Sequence, residues 1–321
     1  GRRSDNLLGD LMRRLSIVWM IAAVLTGCTG GAGPDTPEAS GGVVEEFWSH
    51  RFAVSEDVAY GEDPAQVADL YLQGSWVGEP TYFEAAPEPR PTLLFIHGGG
   101  WVQGDKTGQD PWFLPFVQRG WHVVNMTYRL GPGTAPDAVD DAVCALRWVV
   151  DSAGEYGFDR NRIVVSGGSA GGHLALMAGI LGSREGHPCY PGEDFRVGAV
   201  VNWYGITDIQ AVDSYLAEAR PDFNYARAWA GDPSRIPGLS TGYSPLAVVD
   251  GRAPPILTIH GEADSVVPHD QAVTFHSRLD DLGTVHELRS MPGGTHVGFT
   301  EEQFQEAFSA IFAFLDEVGL D

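Results

Sequence analysis

Lysine is almost absent from this chain. It occurs once, at Lys106, so all the others among the 20 basic residues are arginine. Acid far outnumbers base, with 43 Asp and Glu and a formal net charge of −23. A surface of that sign repels polyanions, which argues against nucleic acid as a partner. Cysteine is scarce as well. Cys28, Cys144 and Cys189 have no zinc-ligand spacing, and no His-Glu-x-x-His stretch occurs, so no metal centre is expected. The glycine clusters GGAG and GGSAGG lack the Lys-Ser/Thr that a phosphate loop requires. No internal repeat is evident.

Two arginines follow Met12, and an apolar run then extends from Leu15 to Leu25. That run is shorter than the roughly 20 residues of a membrane span and has the form of an export signal. It ends in Leu25-Thr26-Gly27-Cys28, which resembles the lipobox of bacterial lipoproteins. The resemblance implies cleavage before Cys28, lipidation of that cysteine, and a protein anchored to a bacterial cell membrane by lipid alone. Residues 1–11 are expected to lie upstream of the translated start, so 1–28 comprise upstream residues and signal. The stretch 29–42, TGGAGPDTPEASGG, has no apolar periodicity and reads as a flexible tether. Export permits a disulfide between Cys144 and Cys189, with two buried thiols as the alternative.

From residue 43 to 321 no second linker appears, and one catalytic domain is expected. FAVSEDVAYG and QVADLYLQ alternate apolar and polar residues, as an antiparallel opening pair does. The pattern then changes to continuous apolar runs: PTLLFIHGGG, WHVVNMTY, RIVVSGG, VGAVVNWYG and PPILTIHGEAD, with VHELRSMPG as a weaker edge strand. Such runs suit strands buried on both faces. Helical patterns alternate with them. In one, Ala138, Val139, Ala142, Ala145, Leu146 and Val149 form a single stripe. The fold class is therefore α/β, a mainly parallel central sheet with helices on both faces and no large cap domain. Residues 206–250 break the rhythm, with a short helical piece near Ser214–Ala219, and are expected to shape a substrate pocket.

VVSGGSAGGH surrounds Ser169 with glycines directly after a β-branched run. Strand, Gly-x-Ser-x-Gly, then helix is the nucleophile-elbow context: the serine is held on a sharp turn and the glycines remove side chains that would clash. A serine hydroxyl needs a base. His296 lies in the glycine-bounded loop GGTHVGF after the last strand, and Asp264 follows a buried strand in HGEAD. Glu262 is a rival acid but suits a strand exit less well. His260, His269, His276 and His286 are rival bases, but none sits in a loop after the last strand. His173, one turn past the serine, is assigned to packing. For a developing oxyanion, HGGGW at 97–101 offers the Gly99 and Gly100 N–H groups beside that of Ala170, with Gly98 as a substitute for one. His97 is expected to order this loop and Trp101 to pack beneath it.

HGGGW, GGSAGG, HGEAD and the His296 loop together resemble the α/β-hydrolase esterases related to hormone-sensitive lipase. The capless acetyl-xylan and feruloyl esterases, and kynurenine formamidase-like members, look most similar. The resemblance covers nearly all of 53–321. It implies a Ser169–His296–Asp264 triad cleaving short-chain carboxylic esters, acetyl or feruloyl esters of carbohydrates among them, with no cofactor. One departure is Gly168, where relatives of hormone-sensitive lipase usually carry Asp. An amide or formamide hydrolase would use the same triad, and a catalytically silent surface binding protein is the alternative from another class. Trp203, Tyr204, Tyr215, Phe223, Tyr225, Trp229 and Tyr243 either line an acyl or sugar site or belong to the core.

Overall fold

The structure, a computed structural model, describes residues 52–77, 82–182, 187–189 and 195–320. Cys28, the export signal and the tether 29–42 lie outside the described residues. The strands are β1 (Phe52–Ala59), β2 (Val67–Val77), β3 (Tyr82–Ala85), β4 (Arg90–Ile96), β5 (His122–Met126), β6 (Phe158–Gly168), β7 (Ala199–Trp203), β8 (Ile256–Gly261) and β9 (His286–Met291). They form one sheet in the order β1-β2-β5-β4-β6-β7-β8-β9, with β3 paired to β2. β1, β2 and β3 pair antiparallel, as does β2 with β5; every pairing from β5 to β9 is parallel. The antiparallel opening pair and the edge position of β9 match the sequence pattern.

The longer helices are α1 (Asp110–Gln118), α2 (Asp137–Asp151), α3 (Ala153–Tyr156) and α4 (Ala170–Leu181), then α5 (Ile209–Ala219), α6 (Tyr225–Ala230), α7 (Ile236–Tyr243) and α8 (Pro245–Val248), then α9 (Asp270–Leu282) and α10 (Glu301–Glu317). Alternate residues of each central strand feed two cores. On β4, Leu94 and Ile96 join α2, α4 and α9 in one cluster, while Leu93 and Phe95 join α1 and α10 in the other. This is why those strands carry no polar alternation: both faces are covered. The whole predicted stripe of α2 is buried. α10 begins with a reciprocal cap in which the Thr300 hydroxyl accepts from Gln303 N–H and the Gln303 side chain accepts from Thr300 N–H.

Two parts of the sequence reading need correction in detail. Residues 206–250 form four helices, α5 to α8, with two short 3-10 turns, rather than one short piece. α1 was not expected at all, since DPWFLPFVQ carries Pro115 inside it, a residue that reads as a breaker. Phe113 and Phe116 nevertheless pack into the core. Of the two alternatives for the remaining cysteines, Cys144 on α2 is disulfide-bonded to Cys189.

Candidate active site

Parallel strands send their carboxyl ends to one edge, and β6 and β8 are separated there only by β7. Ser169 stands between β6 and α4 with φ 58° and ψ −121°, a conformation that non-glycine residues rarely hold. The neighbouring glycines have a steric cause. A Cβ on Gly167 or on Gly171 would run into the Ile96 carbonyl oxygen of the adjacent strand. Three backbones, those of β4, β6 and α4, therefore meet around Ser169 at a distance no side chain allows.

Asp264 follows β8 and His296 follows β9, and both loops turn back over the same edge. His296 Nε2 lies 2.9 Å from Ser169 Oγ, and His296 Nδ1 lies 2.7 Å from Asp264 Oδ2. Asp264 Oδ1 accepts the Val266 and Val267 N–H groups at 2.8 and 2.9 Å. His260 Nε2 approaches the other oxygen at 3.3 Å and the Val267 carbonyl at 2.9 Å. Burial alone would raise the Asp264 pKa; the hydrogen bonds from His260 and His296, the His296 charge and the Val267 N–H outweigh it and hold the carboxyl well below its usual range. A carboxylate can only accept. His296 therefore carries its proton on Nδ1, and Nε2 is left to accept from the Ser169 hydroxyl.

The HGGG loop lies beside this pair. Gly98 approaches so closely that a Cβ there would meet the Gly168 carbonyl at 2.8 Å and Ser169 Cβ at 3.3 Å. Gly99 and Gly100 have φ +118° and +61°, which lets the chain reverse over the cavity. Among the described residues no protein acceptor takes the N–H of Gly99, Gly100 or Ala170. The Ala170 N–H also opens α4, whose N-terminal dipole favours negative charge. His97 is fully buried, stacked on Tyr128, and its Nδ1 donates to the Gly98 carbonyl at 2.7 Å. Trp101 is equally buried, stacks on Trp229 and donates from Nε1 to His173 Nδ1 at 3.1 Å. His173 Nε2 donates in turn to the Tyr243 carbonyl at 2.7 Å. These residues brace the loop from below.

Ser169, His296 and the three glycines 98–100 open on a cavity of about 850 Å³. Tyr204, Phe223 and Tyr225 line it, whereas Trp203 and Trp229 belong to the core. Tyr215 and Tyr243 are partly buried against that core. None of the rival histidines bonds Ser169, and His260 touches the triad through Asp264. His260 sits in β8 beneath Asp264, His269 precedes α9 and bonds Ser290, and His276 and His286 bond one another. The sequence reading missed Trp112, Arg220 and Asn224, which also line the cavity. Trp112 lies on the unexpected α1. Arg220 and Asn224 come from the 206–250 excursion, where the only available signal was a cation in an acidic chain.

Residues 82–279 match the BD-FAE family. The chain belongs to that family. It is 33% identical over 248 residues to Esterase LipC of Mycobacterium tuberculosis, covering 76% of this chain and 58% of that one. It is 32% identical over 216 residues to ethyl acetate hydrolase of Pseudomonas putida, with 64% of each covered. The chain spans about half the length of several curated relatives it matches. A solved bacterial heroin esterase superposes with a TM-score of 0.68 at 24% identity, over 95% of this chain and 90% of that one. The fold of this BD-FAE member is thus that of the α/β-hydrolase esterases, with no large cap among the described residues.

Proposed function

We propose that this BD-FAE member is a serine hydrolase of carboxylic esters. One observation carries the reading: the unbroken line Ser169 Oγ, His296, Asp264, at 2.9 and 2.7 Å, opening on a cavity beside three glycine N–H-bearing residues. Ser169 Oγ attacks the ester carbonyl while His296 Nε2 takes its proton. The carbonyl oxygen becomes an oxyanion among the N–H groups of Gly99, Gly100 and Ala170. His296 returns the proton to the alcohol, which leaves, and the acyl group stays on Ser169. Water then attacks the acyl-enzyme with His296 as base, releasing the acid and restoring the hydroxyl. Asp264 stays ionised throughout and stabilises the imidazolium.

Short acyl groups are the preferred substrates in this reading. The named relative that hydrolyses ethyl acetate supports it, and acetyl or feruloyl esters of carbohydrates follow from the resemblance described above. The Cys144–Cys189 bridge supports an oxidising compartment outside the cytoplasm. Lipid on Cys28 would hold the enzyme at a membrane there; loss of the membrane fraction in Cys28→Ala is the expected result, and continued partitioning of that variant rules the anchor out. The decisive assay for the reaction is hydrolysis of p-nitrophenyl acetate by the protein beside its Ser169→Ala variant. Turnover in the parent and background in the variant is expected. Equal rates in a folded Ser169→Ala protein reject the mechanism, and preference for acyl chains longer than about eight carbons rejects the short-acyl substrate.

A further inference from the structure

Arginine is the main cation of this chain, and most described guanidinium groups that are partly buried have a partner. Arg129 holds Asp141, Arg227 holds Asp213, and Arg235 donates to the carbonyls of Ala230 and Ala135. Arg220 differs. It ends α5 and its side chain lines the cavity that holds Ser169. Its Nη1 is buried without a hydrogen-bond partner, and no carboxylate lies within ion-pair distance of it among the described residues. The Phe223 ring lies 5.4 Å from the guanidinium carbon.

A chain with formal net charge −23 has carboxylates to spare for such a group. A buried guanidinium nitrogen without an acceptor is costly, and such groups call for an explanation. The C-terminal dipole of α5 favours a cation at this place, yet the guanidinium bonds none of that helix's carbonyls. Asp222 shares the cavity wall but is exposed, so water screens it. Among the described residues, Arg220 is the one arginine or lysine lining the cavity. A planar fork of donors suits a carboxylate, and the half-exposed Phe223 ring beside it offers an apolar floor for the carbons that bear it.

We propose that Arg220 selects esters that carry a carboxylate, so that the substrate class of this site is an anionic ester such as a hemiester of a dicarboxylic acid or an acylated uronic acid. The proposal rests on the reading of the Ser169 cavity as an ester-hydrolase site. It is tested with matched pairs: p-nitrophenyl hemisuccinate against p-nitrophenyl butyrate for charge on the acyl side, and acetylated glucuronate against acetylated glucose for charge on the alcohol side. In at least one pair, the anionic-to-neutral ratio of kcat/KM is expected to fall about tenfold or more in Arg220→Gln, the size of one lost charge-assisted hydrogen bond, chiefly through KM. Arg220→Lys should recover part of that ratio. Ratios that are the same in parent and Arg220→Gln for both pairs overturn the proposal and leave the hydrolase reading intact.

A readout without turnover separates the two. Calorimetric titration of Ser169→Ala with monomethyl succinate should give saturable binding that is lost in Ser169→Ala/Arg220→Gln. If butyrate is not cleaved by the parent, the hydrolase reading fails and this titration alone decides Arg220. Equal binding in both proteins, or none in either, overturns the role.

Discussion

Asp264 shows how a single carboxylate can be committed to one protonation state. Two backbone N–H groups hold one oxygen and two imidazoles face the other. Replacing it with Asn puts an amide opposite His296 Nδ1, and an amide nitrogen there forces the wrong tautomer. At neutral pH, Asp264→Asn is expected to lower kcat by about 10³–10⁴ while the far-ultraviolet spectrum stays unchanged. A loss below tenfold in the steady-state rate would show that His296 does not depend on this partner. These residues were legible because each lies in a short motif at the end of an apolar run: GGSAGG, HGEAD, GGTHVGF. Chain order and strand ends set His296 apart from His260, His269, His276 and His286, none of which lies in a loop after the last strand. Tyr204 was legible only as an aromatic without a place. Its φ of 42° and its ring 4.7 Å from that of His296 arise from how β7 meets the His296 loop, a contact across sequence that no local pattern carries.

At the scale of elements, the disulfide ties α2 to a segment well outside it, across a sequence separation of 45. A link of that span restricts the unfolded chain by an amount worth about 2–4 kcal/mol. The Cys144→Ala/Cys189→Ala protein is expected to lose stability of that order in urea titrations, and reductant should lower the midpoint of the parent but not that of the double variant. A parent indifferent to reductant under conditions that cleave the bridge contradicts this. Composition allowed the bridge and did not decide it, because two cysteines are compatible with either state. The central strands and the helices α2, α4, α9 and α10 were legible for a different reason: long periodic segments outweigh local noise. α1 and the helices of the excursion were not, apart from the Ser214–Ala219 piece of α5. α1 has Pro115 in its interior and only Phe113, Phe116 and Val117 fully buried. The helices α6, α7 and α8 are too short for periodicity to register, and they form because the excursion packs over α4 and α5 rather than through propensity. The cavity wall that includes Arg220 comes from this part, so specificity was the least legible part of the site.

Among the described residues, five histidines are buried almost completely: His97, His122, His173, His276 and, beneath Asp264, His260. Burial lowers the first three to about 4 and His276 to about 3; Arg90 adds to the effect at His122, and His286 adds to it at His276. At least three are also bonded in ways that need a neutral ring. His122 Nδ1 accepts from Gln73 N–H, and His173 Nδ1 accepts from Trp101. His276 joins a line from Asn202 through the Thr258 hydroxyl to His286 and Asp280, in which every donor finds an acceptor when both rings are neutral. Because the native values lie below the ordinary 6.5, the unfolded chain takes up protons first as the pH falls. The stabilisation is complete above about 6.5 and is lost towards the native values, at up to about 1.4 kcal/mol per pH unit for each ring. The overall charge acts in the opposite sense. Approaching the sequence pI of about 4.6 relieves the repulsion of a strongly acidic chain and favours the folded state. Salt separates the two, since it screens surface repulsion and leaves buried rings almost untouched. In roughly 0.5 M salt, the unfolding free energy from urea titrations is therefore expected to fall steadily from pH 7 to pH 5, by up to about 2 kcal/mol for each of the four shifted rings. Midpoints that hold or rise over that interval at high salt would mean that these rings accept protons in the folded state, contrary to the burial and bonding that hold them neutral.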